Sequence, residues 1–97
     1  FVYRDELAAV YEALIAQNRG IEINVSGLRT GHTSYPNASA LALYRDLGGE
    51  IITLGSDAHT PEDASVGIRE GAELLRMIGF RYYTVFEQRK PAFFPLA

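Results

Sequence analysis

The chain has 97 residues, 47% of them hydrophobic and 11% aromatic, and a formal net charge of -3. That length suits one small domain with a single core, and the apolar fraction argues for a packed globular chain rather than a disordered one. The 9 Lys and Arg residues form no basic block, which argues against a nucleic-acid partner, and the absence of cysteine excludes disulfides and thiolate metal sites.

No stretch has transmembrane length, and the N-terminus lacks the basic-then-apolar layout of a signal peptide. A cytoplasmic protein without a membrane partner is expected. The chain opens at Phe1 directly in a helical pattern, as a piece of something longer would.

Leu7, Val10, Tyr11, Leu14 and Ile15 recur at helical spacing, with Arg4, Glu12 and Gln17 off the stripe, and Gly20 is the expected stop. "IEINVSG" then alternates strictly. Ile21, Ile23 and Val25 fall on one face of a strand and Glu22, Asn24 and Ser26 on the other. After a loop from Leu28 to Tyr35, Pro36 suits the first turn of a second helix, whose apolar positions Leu41, Tyr44 and Leu47 lead to a Gly48-Gly49 stop. "IITLG" reads as a strand covered on both faces.

Thr60 is placed as an N-cap with Pro61 at the first helical position and Asp63 at the third. Ile68, Ala72, Leu75 and Ile78 carry that third helix to Gly79, with Gly67 and Gly71 weakening its first half. "YYTVF" is a third strand by its β-branched and aromatic content, and "KPAFFPLA" is a tail too interrupted by proline to be a central strand. The order is α-β-α-β-α-β, that of a parallel α/β sheet or barrel, in a single unit over residues 1–97.

Ligands of such folds sit at the carboxyl ends of the strands. "LGSDAHTPED" puts Asp57 and His59 there. An extended backbone would set Thr53, Gly55, Asp57 and His59 on one face, where a carboxylate and an imidazole suit zinc, manganese or iron. The alternative is a turn begun by Asp57 with His59 as a surface residue. Glu22 and Asn24, polar on a strand expected to be covered, either form an internal hydrogen-bond network or touch ligand. Arg29, past the same strand end, either grips an anion with its planar fork or is solvated. His32 is either a loop surface residue or a support behind the residues that touch ligand.

Three segments, "GIEINVSGLRTG", "YPNASALALYRDLGGEIITLGSDAHTPED" and "LLRMIGFRYYTVFEQRKP", resemble the C-terminal part of histidinol-phosphatases of the polymerase and histidinol phosphatase (PHP) family. The resemblance implies the C-terminal α-β-α-β-α-β portion of a distorted (β/α)7 TIM-like barrel, hence an incomplete barrel, with residues 1–97 as the C-terminal part of a PHP domain. It implies that Asp57 and His59 are metal ligands of a three-metal hydrolytic site, that Arg29 binds substrate phosphate, and that Asn24 lines the pocket. The implied reaction is hydrolysis of L-histidinol phosphate in histidine biosynthesis, by divalent metals. A PHP phosphoesterase for another ester, or a silent interaction module, is the rival. The family's His-x-His is absent, and His32 and His59 are the only histidines. The isolated chain is therefore expected to be inactive, and to self-associate or to pair with the missing barrel half.

Overall fold

The computed structural model describes residues 3–24, 36–55 and 61–96, the side chains of 61–66 excepted. The elements among them are α1 (Arg4–Ala16), β1 (Ile21–Asn24), α2 (Ala38–Asp46), β2 (Ile52–Gly55), α3 (Pro61–Ile78), β3 (Tyr82–Glu87) and β4 (Lys90–Pro95). The expected alternation holds as far as β3. The strand β4 was not expected.

All three helices stop by the same device, a left-handed residue that lets two backbone N–H groups reach back to orphan carbonyls. In α1 that residue is Asn18, at φ 56°. Arg19 N–H donates to the Leu14 carbonyl at 2.8 Å and Asn18 N–H to that of Ile15 at 3.1 Å. The stop expected at Gly20 thus comes two residues earlier. Gly20 serves a close approach instead, since a Cβ there would collide with the Ile51 side chain and carbonyl. Gly48 plays the left-handed part in α2 and Gly79 in α3, at φ 94° and 115°. At the latter, Phe80 N–H bonds the Leu75 carbonyl at 3.0 Å, and both side chains enter the core.

The start of α2 is set by Asn37, whose side chain accepts the Ala40 N–H at 3.0 Å. Pro36 therefore precedes the cap rather than occupying the first turn. Pro61 does open α3, which runs unbroken through Gly67 and Gly71. Tertiary packing outweighs the helix-breaking tendency there: both glycines are buried. The cap assigned to Thr60 lies outside the described residues.

β1 and β2 pair in parallel, with Ile21 level with Ile52 and Asn24 level with Gly55. One face of the pair carries Ile23 and Ile52, both 0% exposed, in a cluster with Tyr11, Leu41, Leu43, Tyr44, Leu75 and Phe80. Each large side chain so buried contributes about 1.5–3 kcal/mol. Two details depart from expectation. Val10, placed on the buried stripe of α1, is 55% exposed, and Thr53 on β2 is only partly covered, so β2 is not sealed on both faces.

β3 does not extend the parallel ladder among the described residues. It turns back on itself and pairs antiparallel with β4, from Tyr82 opposite Pro95 to Glu87 opposite Lys90. The reversal takes two residues, Gln88 and Arg89, both at positive φ (51° and 67°), as a two-residue hairpin requires. β3 meets β2 through a side chain: the Ile52 N–H donates to Thr84 Oγ1 at 3.2 Å. Thr84, 2% exposed, closes an edge that a strand backbone would otherwise satisfy. The fold is thus α/β, with parallel pairing shown for β1 and β2.

Candidate active site

Side chains level with one another in a parallel pair project to the same side of the sheet. Glu22 therefore stands beside Thr53, and Asn24 beside Gly55, on the face turned away from Ile23 and Ile52. Glu22 is exposed, while Asn24, Thr53 and Gly55 are partly exposed. The shared polar face read from the period-2 pattern is present for these four residues. Asp57, His59 and Arg29, expected to carry the chemistry, lie outside the described residues, as do Ser26 and His32.

The Glu22 side chain leans along the strand toward its carboxyl end. Its Oε1 lies 2.5 Å from the place a Cβ on Gly55 would take, and its carboxyl carbon lies 3.0 Å from it. Gly55 leaves that room by having no side chain. Within the described residues the ion pairs are Arg4 with Asp5, Arg45 with Asp46, and Arg76 with Glu73; none involves Glu22. The face thus presents a carboxylate, an amide and a hydroxyl in sequence along two strands. Such a set accepts hydrogen bonds from a cation or a hydroxyl-bearing ligand. Among the described residues no three His, Asp or Glu side chains gather as a metal site.

Among the described residues, clefts lie at the amino end of the strands and beside β2. The larger, about 490 Å³, lies before β2 and β3 and is lined by Arg45, Glu50, Arg81, Tyr82 and Phe93 among others. This is the amino end of the strands, opposite to where α/β folds place ligands. The carboxyl ends of α2 and α3 converge on it, and Arg45 answers their exposed carbonyls by donating to that of Ile78. A structural role accounts for its charge. The smaller cleft, about 280 Å³, is bounded by Thr53, Leu54, Ile68, Tyr83, Thr84, Val85 and Phe86 and runs beside β2. The sequence reading missed Thr84, whose only signal is a lone hydroxyl in the aromatic run "YYTVF".

No family model matches the chain. It is 33% identical over 82 residues to a probable histidinol-phosphatase of Thermotoga maritima, a stretch that is 84% of this chain and 35% of that protein. The chain resembles histidinol-phosphatases. A histidinol-phosphatase of Lactococcus lactis subsp. lactis is 28% identical over 87 residues, which is 90% of this chain and 32% of the relative. The chain thus spans about a third of the length of the curated histidinol-phosphatases it matches. The matches to both histidinol-phosphatases are long enough to take in β1, β2 and the polar face between them. No helix among the described residues is long and apolar enough to cross a membrane.

Proposed function

We propose that this chain is the C-terminal part of a PHP-family histidinol-phosphatase, and that the whole protein hydrolyses L-histidinol phosphate to L-histidinol and phosphate in histidine biosynthesis. The observation that carries this reading is the similarity to two proteins named as histidinol-phosphatases over 84% and 90% of the chain. In this reading the unit over residues 1–97 is an incomplete portion of a distorted (β/α)7 TIM-like barrel, in a cytoplasmic enzyme. The parallel pair with its crossover helix α2 is the repeating unit such a barrel uses.

Asp57 and His59 are the proposed metal ligands. Their fit rests on the donor set and on where β2 leads: an acid and an imidazole follow a strand whose polar face carries no bulk at Gly55, in a chain without thiolates. Such donors suit zinc, manganese or iron, three of which the whole enzyme would hold. Divalent metals supply Lewis-acid charge and acidify water enough for nucleophilic attack near neutral pH. Arg29 binds two phosphoryl oxygens with its planar fork, which fixes the ester and draws charge from it. Asn24 orients the bound ester by hydrogen bonding from the end of β1.

In a chain of the relatives' length containing this sequence, release of phosphate from L-histidinol phosphate, followed with bound metal by elemental analysis, tests the reading. Asp57→Ala and His59→Ala should lose metal and turnover together. Retained metal in both variants would remove them as ligands, and no turnover in the unaltered chain would defeat the substrate assignment. The 97 residues alone supply two of the proposed ligands, and no described strand pairs with the outer edge of β1. Alone they should be inactive, and should self-associate or bind the remaining barrel half as a separate polypeptide.

A further inference from the structure

Glu22 is level with Thr53 in the strand register, yet its carboxylate lies over Gly55, one full side-chain repeat nearer the carboxyl ends. Strand side chains lean along their strand, and that of Glu22 does so into room that a side chain at position 55 would fill. Here the carboxylate and the missing side chain are complementary. Glu22 is exposed, joins none of the ion pairs among the described residues, and is flanked by the Thr53 hydroxyl and the Asn24 amide.

We infer that Glu22 is a substrate-binding residue that receives the primary ammonium of an amino-alcohol phosphate ester, and that Gly55 is kept bare to admit its carboxylate. The inference rests on the phosphatase reading and deepens it. L-histidinol phosphate carries a phosphate at one end and an ammonium on the adjoining carbon, so a site that holds the phosphate through Arg29 needs a separate anion for the amine. An ammonium is a full point charge with three donors at neutral pH, whereas the imidazole of the same molecule is largely uncharged. A carboxylate that joins no ion pair among the described residues gains more from the former. Glu22 takes no part in bond breaking. It selects aminated esters over others.

The test uses a chain of the relatives' length, with L-histidinol phosphate and its deaminated analogue, 3-(imidazol-4-yl)propyl phosphate, as paired substrates. Glu22→Gln keeps the shape and removes the charge. The ratio of kcat/KM for the aminated over the deaminated ester should fall about tenfold, carried by KM, with bound metal unchanged. Gly55→Ala, which fills the room the carboxylate occupies, should shift the ratio the same way although Glu22 is intact. Calorimetric titration with L-histidinol gives a readout independent of turnover, and Glu22→Gln should weaken it about tenfold. An unchanged ratio in both variants together with equal L-histidinol binding overturns the assignment of Glu22. An unaltered chain that binds L-histidinol in a Glu22-dependent way but hydrolyses neither ester upholds Glu22 and defeats the phosphatase reading instead.

Discussion

The rings of Tyr11 and Tyr44 meet edge to face, with centroids 5.0 Å apart and planes at 64°, yet their hydroxyls have different surroundings. That of Tyr44 donates to the Ile51 carbonyl at 2.8 Å, which also accepts the Ile21 N–H at 3.1 Å. That of Tyr11 is buried with no partner among the described residues. One tyrosine thereby ties α2 to the start of β2, and the other carries a polar atom that stabilises nothing.

Removing the orphaned hydroxyl should therefore help. Tyr11→Phe is expected to stabilise the chain by about 1 kcal/mol, since an unsatisfied buried donor costs on that order. Tyr44→Phe should destabilise it by a similar amount, because the Ile51 carbonyl keeps its second partner. Urea unfolding midpoints of the two variants, moving in opposite directions, are the check.

The same pair sets an alkaline limit. Burial raises both phenols above their ordinary value of 10.0. A group whose folded-state pKa is raised contributes stability that is full below its unfolded pKa and is lost as pH climbs toward the folded one. Stability should hold to about pH 10 and then fall. In Tyr11→Phe the fall should be shallower. A stability profile from pH 8 to 12 that is equally steep in both proteins would count against the burial of Tyr11.

Thr84→Val should cost about 1–3 kcal/mol, because the Ile52 N–H would be left buried and unbonded. Thr84→Ser, which restores the oxygen, should recover most of it. Hydrogen exchange at the Ile52 amide is the direct readout, fast in the valine variant and protected in the serine one.

The hairpin carries two opposing devices. Gln88 and Arg89 take the left-handed region at a steric cost, so a change to Asn-Gly should stabilise by about 1 kcal/mol. Pro91 and Pro95 protect the outer edge. The Leu96 N–H to Arg81 carbonyl bond fixes the ladder so that both prolines fall at non-bonded positions and turn their nitrogens outward. The joint change Pro91→Thr and Pro95→Thr should leave β3 paired but offer two free N–H groups to another strand. Association that rises with concentration in light scattering is the expected result.

For the proposed enzyme, Arg29→Lys should raise KM and weaken inhibition by inorganic phosphate, since an ammonium cannot reproduce a two-point fork. Bound metal should be unchanged. Phosphate inhibition equal to that of the unaltered enzyme would show that Arg29 does not touch the anion.

Periodicity and composition together identified the helices α1 to α3 and the first three strands, because a stripe such as Leu41, Tyr44 and Leu47 buries only when wound at 3.6 residues per turn and a run such as "YYTVF" suits a pleated surface. Alternation likewise put Glu22 and Asn24 opposite Ile23, since successive strand side chains point to opposite faces. Local chemistry settled less. Nothing local distinguished Asn18 from Gly20 as the end of α1, and only the approach of Ile51, 31 positions further along the chain, decided what Gly20 is for. The pairing of β3 was also a tertiary decision: a strand's composition does not name its partner, and a two-residue reversal gave β3 a local one while Thr84 held it to β2. The lean of Glu22 over Gly55 belongs with these. It depends on a parallel register between residues more than thirty positions apart, which no reading of either segment by itself contains.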